Sequence, residues 1–271
     1  MTSSERIAPR IDHRPLPYVG RIIAVAAGKG GVGKSTTTLN LAHALTACGM
    51  RVGILDADIY GPSIPRMLGL ETRLKPELED GQLLPPMAHG IRAMSVALII
   101  GGQAAILRGP MITKTLVQML RLTRWGDAAA PLDILLIDLP PGTGDVPLSL
   151  TQNAKLDGAI IVTTPQEVAV MDARKSLESF ARLGVPILGV VENMSYFIAP
   201  DGSRHALFGE GGGRRLAAEK NVPFLGEIPQ HPAYVAACET GSPCPDLTPY
   251  HPLAAALVTP APGTGLAPGT Q

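Results

Sequence analysis

Cysteine is scarce in this chain. Cys48, Cys238 and Cys244 are the three present in 271 residues, too few and too scattered for a disulfide framework. Net charge is missing as well: lysine plus arginine and aspartate plus glutamate number 23 each. No broad cationic field therefore exists to hold nucleic acid or an anionic membrane, and neither is an expected partner. Nor does any uninterrupted apolar run approach the roughly 20 residues that a membrane helix needs. Met1 to Gly20 carries polar residues and prolines without an apolar core, unlike a secretory signal, so a cytoplasmic location is expected. What is abundant is apolar residues, 45% of the chain, enough to bury a sizeable core in one α/β domain.

The stretch Gly28-Lys29-Gly30-Gly31-Val32-Gly33-Lys34-Ser35-Thr36 fits the phosphate-binding pattern G-x-x-x-x-G-K-[ST]. Ile22 to Ala27 leads in as an apolar run, and a helical pattern through Leu39, Leu41 and Leu45 leads out, supplying the strand–loop–helix context that the pattern requires. Four glycines let backbone N–H groups turn inward onto phosphate oxygens, and the positive end of the following helix adds to that anion hole. In such a loop Lys34 reaches the β- and γ-phosphates and the Ser35 hydroxyl ligates Mg²⁺. Lys29 is an extra lysine near the loop's start. Taken alone, a lysine there is usually solvated.

Strand-like runs at 21–27, 51–56, 133–138, 158–163, 186–192 and 223–227 alternate with helical patterns at 34–48, 110–124, 167–182 and 210–220. The alternation predicts a mostly parallel sheet flanked by helices in three layers. Between Glu71 and Ala97, weaker runs at 82–86 and 91–97 suggest a small hairpin excursion. Residues 1–18 are expected to be a flexible segment, 19–258 the folded domain, and the Pro/Gly/Thr-rich stretch 259–271 a disordered tail.

Ligands of such sheets sit beyond the carboxyl ends of the strands. Asp138 closes the run Ile134-Leu135-Leu136-Ile137 as a Walker B aspartate does, beside the magnesium. Pro140-Pro141-Gly142 behind it suits a stiff segment hinged at glycine. Asp56 and Asp58 would share a face if their strand continued, one supporting the metal and the other orienting water. An Asp-x-Asp turn can equally be just solvated.

With these residues in view, the loop Gly28 to Ser35 resembles the deviant Walker A motif of the nitrogenase iron protein, MinD and ParA superclass, a SIMIBI-type P-loop fold. The segments Asp56-Ala57-Asp58-Ile59-Tyr60-Gly61-Pro62-Ser63, Arg108-Gly109-Pro110-Met111, Asp138 to Asp145, Val162 to Gln166, Glu192-Asn193-Met194-Ser195-Tyr196-Phe197 and Phe208-Gly209-Glu210-Gly211-Gly212 resemble the Mrp/ApbC type, the iron–sulfur cluster carrier ATPases. The resemblance runs from about Arg21 to Cys244. It implies a homodimeric, Mg²⁺-dependent ATPase that delivers clusters to apo iron–sulfur proteins alongside assembly factors. It also implies roles. Gly28 to Thr36 bind the nucleotide, and Lys29 reaches across the dimer to the partner's phosphates. Lys34 holds the phosphates of its own chain, and Asp58 positions the attacking water. Ser35 ligates the metal, with Asp56 and Asp138 behind it, and Asn193 reads the adenine edge, though a turn former ending its strand is the plain alternative.

One departure stands out. Where that family carries Cys-x-x-Cys for a shared [4Fe-4S] cluster, this chain reads Ile198-Ala199-Pro200-Asp201-Gly202-Ser203, with Ala199 and Gly202 in place of the thiolates such clusters need. Cys48 falls on the apolar pattern of the first helix, which predicts core packing, while Cys238 and Cys244 flank a turn at non-matching spacing. His205 and His231 are read as hydrogen-bonded polar residues. Two functions remain open at this level: a cluster carrier driven by ATP, and an ATP-driven dimeric protein-interaction switch that holds no cluster. A membrane-cycling reading would need a basic amphipathic C-terminal helix, and Leu253 to Gln271 contains no basic residue.

Overall fold

Strands covered by helices on both faces have no solvent side for polar residues, so the continuous apolar runs become the central strands of one sheet. The computed structural model describes residues 15–59, 61, 63–70, 75–100, 109–142 and 144–258. β1 (Val19–Ala27) passes through the glycine loop into α1 (Lys34–Ala47), followed by β2 (Val52–Asp56) and the short α2 (Ile64–Met67). Next come β3 (Glu77–Glu79), β4 (Gln82–Leu84), β5 (Met87–Ala88), β6 (Ile91–Ser95), α3 (Val96–Ile100) and α4 (Gly109–Leu122). The second half holds β7 (Leu132–Asp138), α5 (Asp145–Asn153), β8 (Gly158–Thr163), α6 (Glu167–Arg182), β9 (Ile187–Ile198) and β10 (Arg204–His205). It ends in α7 (Gly212–Lys220), β11 (Phe224–Gln230), α8 (Pro232–Thr240) and α9 (His251–Val258).

Among the described residues the main sheet runs β11-β9-β8-β1-β7-β2-β6-β5, parallel except for β5 against β6. β10 pairs antiparallel with the far end of β9. Alternate residues of β1 feed two cores. Ile22, Ala24 and Ala26 pack with α4, α5, α6 and α7, while Ile23, Val25 and Ala27 pack with α1, α2, α8 and α9. That is the three-layer α/β architecture expected.

Three expectations change. The run at 91–97 is no excursion: Ile91 to Ser95 is a buried strand in parallel register with β2, and among the described residues it is β3 with β4 that forms a separate hairpin. Cys48 is exposed, because α1 ends at Ala47 and the chain has left the core by that point. Leu16, expected in a flexible segment, is 5% exposed and shares a core with Trp125 and Leu132. Residues 1–14 and 259–271 lie outside the described residues, as do Tyr60, Pro62, Arg108 and Thr143 of the motifs quoted above.

α2 and α8 meet backbone to backbone. A Cβ on Gly241 would lie 2.3 Å from the Gly69 Cα, and the Arg66–Glu239 ion pair at 2.7 Å closes over the contact. The carbonyl of Gly241 is also hydrogen-bonded to His89 Nε2 at 2.9 Å.

The His89 ring lies 5.9 Å from that of His43, on α1. His43 is 6% exposed and its Nε2 has no hydrogen-bond partner among the described residues. Burial first, and then the neighbouring His89, hold it down to about 4. Its folded form therefore binds fewer protons than the unfolded chain between its ordinary value and about 4, so stability is lost as pH falls through that window. Between pH 7.5 and pH 5 the denaturant stability of wild type should drop by about 2 kcal/mol relative to a His43→Leu protein. Parallel titrations at the two pH values measure this, and an unchanged gap would exclude His43 as the cause.

Candidate functional site

The site is built where strand ends meet the glycine loop. In register, Ser95 of β6 lies beside Asp56 of β2, Asp56 beside Asp138 of β7, and Asp138 beside Val25 of β1. Parallel strands of matched length thus deliver two carboxylates and a hydroxyl in one row. All three polar residues are buried.

The loop crosses above this row. Gly31 and Gly33 have φ of 80° and 79°, the left-handed region that favours glycine. Gly33 also has no room for a side chain, since a Cβ there would fall 2.2 Å from Asn193 Nδ2. That amide donates to the Val32 carbonyl at 2.8 Å, so Asn193, at the buried heart of β9, ties the loop to the sheet. At the loop's start a Cβ on Gly28 would lie 2.0 Å from the Asp172 backbone of α6. Lys29 is half-buried beside a cleft of about 290 Å³ lined by the loop, Asp58, Ser63, Met67 and Pro141.

Beneath the loop, Asp138 gathers donors. Lys34 Nζ lies 2.7 Å from Oδ2, Ser35 Oγ donates to Oδ2 at 2.6 Å, and Thr38 Oγ1 donates to Oδ1 at 2.7 Å. Asp56 accepts from the Asp58 N–H at 3.1 Å, the Ile64 N–H at 3.2 Å and Ser95 Oγ at 3.2 Å. Burial, and then the Asp138 carboxylate alongside, push Asp56 up to about 7, against the pull of Lys34 and the two N–H donors. β2 stops at Asp56, so Asp58 does not continue its face. Instead Asp58 sits in the following turn, its Oδ1 accepting from Gly61 N–H at 3.2 Å and its Oδ2 4.0 Å from Lys34 Nζ.

Hence Lys34, Ser35, Asp56, Asp58 and Asp138 lie together, and the hydroxyl and three carboxylates among them are oxygen donors of the hard kind that suits Mg²⁺. Thr38 and Ser95 were missed. Their signal lay in position, three residues past Ser35 on a helix and at the carboxyl end of a strand, but no motif marks either.

The phosphate cleft opens into a groove of about 890 Å³, the two sharing Gly33, Thr36, Ser63 and Met67. Asn193, Phe197, Tyr234 and Val235 contribute to its walls. Cys238 also lines it, and its thiol is hydrogen-bonded to the Thr36 side chain and pushed up chiefly by burial. Cys244 is buried, with Sγ 3.4 Å from the Asp246 carbonyl. Ala199 and Gly202 form the turn between β9 and β10, closed by Ala199 N–H to Ser203 O and Gly202 N–H to Ala199 O, each at 2.9 Å. His205 Nε2 contacts Ser203 Oγ at 2.7 Å, and His231 Nδ1 accepts from Ala233 N–H at 3.1 Å as the cap of α8. Among the described residues no group of three or more His, Cys, Asp or Glu side chains is arranged to hold a metal ion.

A profile of the NUBPL iron-transfer P-loop NTPases matches residues 18–261. The chain belongs to that family. It is 51% identical over 216 residues to an iron–sulfur cluster carrier protein of Deinococcus radiodurans, covering 79% of this chain and 60% of that one. A protein of the same description from Pseudomonas fragi is 44% identical over 254 residues, with 92% and 87% covered. The chain thus spans about three fifths of the length of the Deinococcus relative, and 63% of the Escherichia coli one. Among solved structures, a nucleotide-binding protein from Archaeoglobus fulgidus in complex with ADP is 40% identical, with a TM-score of 0.72 over 83% of this chain and 87% of that one. Pyrococcus furiosus MinD, 22% identical with a TM-score of 0.65, shares the fold. Among the described residues no helix is long and apolar enough to cross a membrane.

Gly33 offers a direct check on the loop. A Gly33→Ala protein should lose about 1–2 kcal/mol of stability through strain at positive φ and the clash with Asn193. In an Asn193→Gly background, itself weakened by loss of the bond to Val32, the added cost of Gly33→Ala should shrink to the strain alone, a smaller difference visible in urea titration of the double against the single variant.

Proposed function

We propose that this chain binds Mg²⁺·ATP, hydrolyses it as a homodimer in the cytoplasm, and carries iron–sulfur clusters to apoproteins. The observation that carries the ATP half is the convergence of Lys34, Ser35, Asp58 and Asp138 under a glycine loop whose N–H groups open α1. In this reading the loop from Gly28 to Thr36 wraps the phosphates, and Lys34 moves from Asp138 to the β- and γ-oxygens. Ser35 Oγ holds Mg²⁺, with Asp138 and Asp56 behind it. When bound, Mg²⁺ neutralises charge on the β- and γ-phosphates. Asp58, 14% exposed at the cleft, orients the attacking water. Asn193 uses its N–H on Val32 and keeps Oδ1 as an acceptor for the adenine amino group.

Homodimerisation is supported by exposed apolar side chains near the starts of three helices. Met111 near the start of α4, Leu148 in α5, and Val168 and Met171 in α6 are 42–64% exposed. A second copy docked there would bring its Lys29 to the facing phosphates. The cluster is cargo in this scheme, as the names of the Deinococcus and Pseudomonas relatives suggest.

A second reading is favoured by one observation: the β9–β10 turn has Ala199 and Gly202 where thiolates were expected, and the three cysteines lie elsewhere and free. A nucleotide-driven protein-interaction switch without cluster would need none.

Lys34→Ala should abolish ATP binding by calorimetry. Lys29→Ala should bind normally yet turn over roughly a hundredfold slower or worse, and unchanged turnover would remove the cross-dimer contact. Anaerobic reconstitution with iron and sulfide separates the two functions. Incorporation in wild type, read by metal and sulfide content and visible absorbance, supports the carrier; its absence leaves the switch. Loss of incorporation in a Cys238→Ser/Cys244→Ser protein would assign the ligands to that pair.

A further inference from the structure

Four hydroxyl side chains in a row, Ser35 to Thr38, open α1. Helical geometry sets residues three apart on one face. Ser35 and Thr38 accordingly reach one carboxylate from one side, Ser35 on Asp138 Oδ2 and Thr38 on Oδ1, while Thr36 turns away to Cys238. The three donors on Asp138 are not equivalent. Lys34 and Ser35 both sit on Oδ2, and both line the phosphate cleft. Thr38 is fully buried, lies below the cleft, and holds the other oxygen.

If the nucleotide site is as read above, Lys34 and Ser35 are recruited by phosphate and metal and release Oδ2. Thr38 has no such competing demand. Among the described residues its single proton has one other acceptor in reach, the Lys34 carbonyl at 3.0 Å, against 2.7 Å to the carboxylate, and the charge-assisted bond is the stronger. We propose that Thr38 is a positioning residue. It pins Asp138 through Oδ1, so that Oδ2 stays aimed at the metal side of the loop once Lys34 and Ser35 have left it. Thr38 itself touches neither nucleotide nor metal.

Valine is nearly isosteric with threonine and lacks the donor. In a Thr38→Val protein Oδ1 is left buried without its partner, and the carboxylate loses the contact that fixes its rotation. Calorimetric titration with ATP, in EDTA and then across a series of Mg²⁺ concentrations, tests this without reading turnover. The variant should match wild type for metal-free ATP, which also reports an intact fold, while the Mg²⁺ concentration for half-maximal tightening rises about tenfold or more. Thr38→Ser, which keeps the hydroxyl, should restore the wild-type value. A wild-type Mg²⁺ response in Thr38→Val would overturn the assignment, as would a Thr38→Ser protein as impaired as the valine one, since the methyl packing would then be what matters. Should the valine protein fail to fold by circular dichroism, Thr38→Ala takes its place against the same serine control. Wild type that shows no Mg²⁺ tightening at all is a different failure, that of the nucleotide-site reading itself.

Discussion

A buried carboxylate with three donors on it holds this site together. Asp138 is fully enclosed at the end of a central strand, where an unpaired charge would be prohibitive. Lys34, Ser35 and Thr38 satisfy it, and all three stand on the first turns of α1, so the carboxylate fixes how that helix docks on the sheet. The helix in turn fixes the loop that precedes it. Asp56, one strand away, feels the pull of Lys34 but takes its hydrogen bonds from backbone N–H groups and from Ser95. Burial first, and then the Asp138 charge alongside, push Asp56 toward protonation, an unequal division within a row that the strand register made equal.

Such a row fits a site designed to be rearranged. Lys34 cannot serve Asp138 and a phosphate at full strength together, so a ligand entering the cleft competes with an internal ion pair. An anion that drew Lys34 away would leave Asp138 short of its cation, a change felt at the strand ends without a relay. The Pro140-Pro141-Gly142 segment leaves from the same point, anchored to β1 by the Leu139 and Gly142 N–H groups on Val25 and Ala27 carbonyls.

Much of this was legible in the sequence where periodicity and glycine chemistry speak together. β1, β2, β7, β8, β9 and β11, four of the helices, Asp56 and Asp138 follow from apolar patterns and the polar residues that end them, and the loop follows from its glycines and lysines. β6 reads as peripheral because Pro/Gly-rich flanks surround it, and only its register with β2 reveals it as a strand of the main sheet. α8 and α9 carry too little polar contrast to announce an amphipathic helix. Thr38 and Ser95 escaped because a hydroxyl on a helix or strand has no signature of its own. Its meaning comes from which carboxylate stands opposite, and that is a tertiary fact. Cys48 misled for the converse reason, since the apolar spacing is real but the helix outruns the core.

The contact between Gly69 and Gly241 has a further consequence, for the history of the chain. Two backbones this close leave little volume to share: a methyl group on Gly241 must displace the other helix, and one on Gly69 would press on the Gly241 carbonyl at 3.0 Å. Residues far apart along the sequence are thereby bound into one mutational unit. Gly241 in particular cannot drift alone, and a lineage that replaced it would have to reopen the seam between α2 and α8 before the change could be kept.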